Sequence, residues 1–147
     1  YEVFRYNFFT EAKVKKMIVI LYVSLMTVSA FGNSISGTVS AEKGLEKEIK
    51  GGTLFIFAKK AGAKAGDGQM PVAVQRITDP KFPVKFQLSS ENAMVQGTPF
   101  EGPFTVYARY SVTGNASDKS GPEGATPTEQ KIKPGDKDLK IELRKKK

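Results

Sequence analysis

The chain has 147 residues, 39% hydrophobic and 26% charged, which is enough for one domain and a short additional segment. It carries no Cys and no His. On this sequence that excludes disulfides, thiolate zinc sites, iron–sulfur clusters, Cys nucleophiles, lipid attachment through Cys, and every mechanism or metal site built on imidazole. The balance of 23 basic against 15 acidic residues gives a formal charge of +8, the sign that suits nucleic acid, anionic lipid or an acidic partner.

The first 30 residues read as an address. Met17 to Ala30 (MIVILYVSLMTVSA) is an uncharged apolar run preceded by Lys13, Lys15 and Lys16. It is shorter than the roughly 20 residues of a membrane-crossing helix. Basic start, apolar centre and the small-x-small end Val28-Ser29-Ala30 predict a secretory signal peptide over 14–30, cut after Ala30. Residues 1–13 are expected to be an upstream or untranslated segment, since an alternative start at Val14 gives an ordinary signal-peptide opening. Residues 31–147 then form one domain, long enough to bury a core without covalent staples. That part holds 19 Lys and Arg against 13 Asp and Glu, about +6.

From there the hydrophobic period is two. Ile35, Gly37 and Val39 share one face of a first strand. Thr53 to Ala58 is apolar on both faces, as a central strand covered on both sides should be. Pro71 to Ile77 is a third run, with Pro at the first position where a ladder donor is least missed. Val84, Phe86 and Leu88 alternate with Lys85, Gln87 and Ser89. Phe104, Val106, Ala108, Tyr110 and Val112 alternate with Thr105, Tyr107, Arg109 and Ser111, and Leu139, Ile141 and Leu143 with Lys140, Glu142 and Arg144. Ala93 to Gln96 and Gln130 to Lys133 are weaker edge candidates. Breakers such as Gly51-Gly52, Asp79-Pro80, Gly102-Pro103 and Pro134-Gly135-Asp136 separate the runs. The one helical signal is Glu42 to Ile49, where Leu45 and Ile49 stand four apart. About seven short strands without βαβ alternation predict an all-β fold, an antiparallel β-sandwich. The expected core contains Leu54, Ile56, Val74, Phe86, Val106, Ala108 and Ile141.

No catalytic constellation emerges. Gly62 to Gly68 lacks the Gly-Lys-Ser/Thr ending of a phosphate loop and joins two strands, so it reads as a hairpin loop. Asn115-Ala116-Ser117 matches a glycosylation sequon, and a turn explains Asn115 equally well. The carboxylates sit mostly in turns rather than on apolar faces that would tune them. After removal of the leader only Met70 and Met94 remain as thioethers, too few for a methionine copper(I) site. The Lys residues are scattered, and Arg144 to Lys147 is the terminus, so nucleic acid is not an expected partner. Tyr107 and Arg109 project from one face of their strand, and as an exposed pair they are the candidate partner-binding residues.

Five segments in order carry a resemblance: Gly52 to Lys59 (GTLFIFAK), Met70 to Arg76 (MPVAVQR), Phe82 to Leu88 (FPVKFQL), Val106 to Ala116 (VYARYSVTGNA) and Lys133 to Asp136 (KPGD). Together they resemble the C-terminal periplasmic domain of CycH-type (CcmI-type) cytochrome c biogenesis proteins, over about Ile35 to Leu143. The resemblance implies an immunoglobulin-like or cupredoxin-like sandwich. That family's membrane anchor and tetratricopeptide array have no counterpart in this sequence, so it implies a free-standing secreted copy. The functional expectation is a periplasmic, non-enzymatic accessory of cytochrome c maturation that acts by contacting another envelope protein, with no cofactor, metal or haem of its own. The alternative is a generic exported β-sandwich binding module unrelated to haem proteins.

Overall fold

The architecture comes from a computed structural model, in which residues 32–64 and 67–147 are described; the leader and its cleavage point lie outside them. The chain divides after Ala30, and the unit from Phe31 to Lys147 is the β domain. Its strands are β1 (Ser34–Ala41), β2 (Thr53–Lys60), β3 (Ala73–Thr78), β4 (Val84–Ser89), β5 (Phe104–Ser111), β6 (Glu123–Ala125) and β7 (Leu139–Leu143), with a short helix α1 (Leu45–Glu48) between β1 and β2. They form two sheets, ordered β4-β1-β7 and β3-β2-β5-β6. All pairings between strands are antiparallel except β1 with β7, which run parallel. The fold is the expected β-sandwich. The parallel pair arises because β7 reaches the first sheet after β6 has ended in the second, so no hairpin dictates its direction.

The period-two pattern selects the inner faces. Ile35 and Val39 of β1, Val84, Phe86 and Leu88 of β4, and Leu139, Ile141 and Leu143 of β7 are buried from one sheet. Leu54, Ile56 and Ala58 of β2, and Phe104, Val106, Ala108 and Tyr110 of β5, meet them from the other. Leu45 and Ile49 place the α1 turn on the same core, as their spacing predicts. Where β7 passes β1 the backbones approach closely: a Cβ on Gly37 would lie 2.3 Å from the Leu139 carbonyl oxygen. The buried Tyr110 hydroxyl accepts the Gly52 N–H at 2.9 Å, fixing the turn that starts β2.

Four expectations are corrected. Val74 is not in the main core. Its partner in the β2 register is Phe57, on the outward face, whereas Ala73 and Ile77 turn inward. Val112 lies beyond the end of β5 and is 72% exposed. Ala93–Gln96 and Gln130–Lys133 reduce to single bridges, Ala93 with Ala73 and Ile132 with Phe104. A short strand, β6, lies instead at Glu123–Ala125, where no apolar alternation announced it. Backbone hydrogen bonds between Glu123 and Arg144 in both directions tie that strand to the end of β7.

Truncating a fully buried aliphatic side chain leaves a cavity, so Ile56→Ala should cost about 2–5 kcal/mol of stability. Tyr110→Phe should cost about 1–3 kcal/mol, because the Gly52 N–H loses its acceptor. The exposed Lys85→Ala should stay within about 0.5 kcal/mol of wild type. Urea midpoints of the three variants test this ranking.

Candidate functional site

The β2–β5 ladder is buried on its outward face as well as its inward one. In register, Phe57 stands opposite Tyr107 and Phe55 opposite Arg109, while β3 places Val74 beside Phe57 and Arg76 beside Phe55. The Phe57 and Tyr107 rings stack with centroids 5.6 Å apart. The Arg109 guanidinium lies 5.5 Å from the Phe57 centroid and that of Arg76 lies 5.9 Å from Phe55. A second, smaller apolar cluster therefore forms on the outside of the four-stranded sheet, from Phe55, Phe57 and Tyr107 with Val74 packed against them.

The structure brings Tyr107 and Arg109 together, as their parity on β5 requires, but not as an exposed pair: they are 9% and 7% accessible. The Tyr107 hydroxyl donates to the Ala63 carbonyl at 2.7 Å. Arg109 donates through Nε to Glu123 Oε1 at 2.5 Å and through a terminal nitrogen to the Ala116 carbonyl at 3.1 Å. Two loops thus fold over the ends of these side chains, one after β2 and one after β5. Alternation predicts which way a side chain points; it is silent about whether a loop returns to cover it.

Between those loops the sheet face stays open as a groove of about 640 Å³. Phe55, Phe57, Val74 and Arg109 form its floor. Gly68, Gln69, Met70, Pro71 and Met94 line one side, and Ala116, Ser117 and Lys119 the other. Met70 and Met94 are 66% and 51% exposed, large apolar side chains at a rim rather than in a core. The sequence held the signal for the floor, since β2 is apolar on both faces; it gave none for the juxtaposition of Met70 with Met94. The two thioethers share the groove with Lys59, Arg109 and Lys119.

Both loops are held by acidic side chains. Lys59, with only 5% of its side chain exposed, donates to Asp67 at 2.6 Å and to the Lys64 carbonyl at 3.1 Å. Asp67 also accepts the Lys64 and Gln69 N–H groups. The hydrogen bond from Lys59 is the main reason its carboxyl titrates below the usual value. β2 ends at Lys60 and β3 begins at Ala73, so the described residues of the Gly62–Gly68 stretch lie between two strands, as expected. Across the groove, Asp118 accepts the Ser120 hydroxyl and N–H and the hydroxyls of Thr113 and Ser111. The Ser120 hydroxyl leads the causes that pull its pKa down to about 2. Asn115 accepts the Ser117 N–H at 2.9 Å, the turn offered as the alternative to a sequon.

Arg109→Ala should destabilise the fold by about 2 kcal/mol, since it leaves the partly buried Glu123 carboxylate with only the more exposed Lys146 as an ion-pair partner and unties the Ala116 loop. Met94→Ala should have far less effect on the urea midpoint. A carboxylate with a depressed folded-state pKa stabilises above its unfolded value, and that contribution is lost as pH falls through the folded one. The wild-type midpoint should therefore drop between about pH 4 and about pH 2, and Asp118→Asn should flatten that slope.

The family described as the cytochrome c-type biogenesis protein H Ig-like domain matches residues 35–143, from the second residue of β1 to the end of β7. No curated protein matches the chain. Among solved structures, an alternative pilotin from the type II secretion system of Vibrio cholerae is similar at a TM-score of 0.44 and 14% identity. That alignment covers 76% of this chain and 96% of the pilotin; a likeness so slight bears on neither fold nor function here. The family match spans every strand of the sandwich, and the chain belongs to the Ig-like domain family of cytochrome c-type biogenesis protein H.

Proposed function

We propose that this domain is a periplasmic, non-catalytic accessory of cytochrome c maturation that works by docking another envelope protein on the outward face of the β2–β5 ladder. The observation that carries the reading is the family match across residues 35–143 on a domain whose partly open apolar groove is rimmed by exposed Met70 and Met94. Large apolar side chains at a rim favour contact with a partner. A chain without His or Cys lacks the side chains that most often act as general base, soft metal ligand or thiol nucleophile. Tyr107 and Arg109 support the docking face from beneath by fixing its loops. Export proceeds through the 14–30 leader, removed after Ala30.

The test deletes the gene and measures covalently haem-stained cytochromes c in the envelope, then complements with wild type and with Met70→Glu/Met94→Glu. Haem staining should fall on deletion, return with wild type and stay low with the double variant. The complementing protein should begin at Phe31 or within a few residues of it. Normal staining in the deletion strain would favour a generic exported binding module. Equal rescue by both forms would move the contact surface away from the groove.

A further inference from the structure

The groove is not uniform along its length. At the Phe57–Lys59 end the lining is apolar: Met70 and Pro71 precede β3, and Met94 donates its N–H to the Val72 carbonyl, so all three sit beside Val74 and Phe57. At the Phe55 end it is cationic. Arg76 lies over the Phe55 ring, Arg109 is the Phe55 partner on β5, and Lys119 stands on the loop that Arg109 holds. Arg109 is neutralised by Glu123 and Lys59 by Asp67. Arg76 and Lys119 are exposed, and neither side chain has an ion-pair partner among the described residues. Two positive charges without an ion-pair partner therefore stand near one end of the trough, Lys119 in its lining and Arg76 beside that lining, over the Phe55 ring.

From Phe55 to Lys59 the strand advances about 13 Å, which matches roughly four residues of extended chain. Gln69 and Ser117 both line the groove, and their side chains make no hydrogen bond within the described residues, so an amide and a hydroxyl are available to a peptide backbone. A second copy of the domain, with 19 Lys and Arg against 13 Asp and Glu over residues 31–147, is the wrong sign for the cationic end. A trough this open leaves an acyl tail in water along one side, whereas a peptide keeps its polar backbone there and buries alternate side chains.

We propose that the groove binds an extended segment of a partner protein, with apolar side chains at the Met70–Met94 end and a carboxylate at the Arg76–Lys119 end. This rests on the docking reading above and names the chemistry of its partner.

The probe is a phage-displayed library of random heptapeptides, panned on the purified full chain and in parallel on Arg76→Glu/Lys119→Glu. Both substitutions are at exposed positions, and matching thermal melts establish that the fold is kept. Wild type should enrich peptides that pair two or more large apolar residues with Asp or Glu. A synthetic peptide from that pool should bind at least tenfold more weakly to the charge-reversed protein, and more weakly to wild type when its acidic residue is changed to the amide. Met70→Ala/Met94→Ala should also reduce its affinity. No enrichment, enrichment without acidic residues, or equal binding to the charge-reversed protein would overturn the proposal. So would laurate displacing the peptide at lower concentration than the peptide itself binds, which would make the groove an acyl-chain site. The haem-staining experiment reads a separate quantity: loss of cytochromes c with no acidic peptide selected keeps the maturation role and discards this partner chemistry. Peptide binding with normal cytochromes does the reverse.

Discussion

Burial of the β2–β5 ladder on both faces is the constraint from which the rest of the domain follows. An antiparallel pair in the middle of a sheet needs a hydrophobic inner face, which Leu54, Ile56, Val106 and Ala108 provide. Here the outer face is hydrophobic too, and Phe55, Phe57 and Tyr107 left to water would form an exposed aromatic stripe. The chain covers most of that stripe with the loops after β2 and β5, and what those loops leave uncovered is the groove. Site and fold are thus one packing problem: the coverage that stabilises the ladder also sets the dimensions of the opening.

Loop coverage over a sheet needs polar anchors, because loop backbone brings carbonyl and N–H groups that water no longer reaches. Tyr107 supplies a hydroxyl to Ala63, Arg109 a guanidinium nitrogen to Ala116, and Lys59 an ammonium to Lys64. Two of these anchors are cations that would be costly to bury alone, and each is matched by a carboxylate, Glu123 or Asp67. Such pairs are weak sources of net stability, but their geometry is directional, so they define where each wall stands. Glu123 belongs to β6, the strand that also bonds to the end of β7, so one wall is braced against the opposite sheet.

Much of the fold was legible in the residues because side-chain parity is a strict consequence of strand geometry. Ile35, Val39, Phe86 and Ile141 turn inward as their spacing requires, and Leu45 with Ile49 gives the α1 turn. Parity fails where a strand is apolar on both sides: one register turns Val72 and Val74 inward and the other Ala73 and Ile77, and the choice is decided by pairing of Ala73 with Ala58 and Val74 with Phe57. It fails again at Val112, where the strand stops one residue before the alternation does. β6 carried no signal, since three residues with one Gly and one Ala bury almost nothing; hydrogen bonding to β5 defines it. For the site, parity placed Tyr107 beside Arg109 but could not report the loops that cover them, because those contacts join residues 44 and 7 positions apart through side-chain-to-backbone bonds.

The division of labour within the site follows from what each residue can lose. Phe55, Phe57, Tyr107 and Arg109 are buried, and the last two are hydrogen-bonded to the frame, so changing any of them alters stability before it alters recognition. Gln69, Met70, Ser117 and Lys119 lie on loops, in contact with the groove and largely with water, so they can change with little effect on the core. A rigid aromatic floor keeps the entropic cost of ordering on binding low, and flexible thioethers at one end adapt to side chains of different shape. In the docking proposed above, selectivity rests on the charged end, where Lys119 and the neighbouring Arg76 disfavour a basic segment and favour an acidic one. The same floor, in a domain with different rim residues, would serve a different partner without a change of fold.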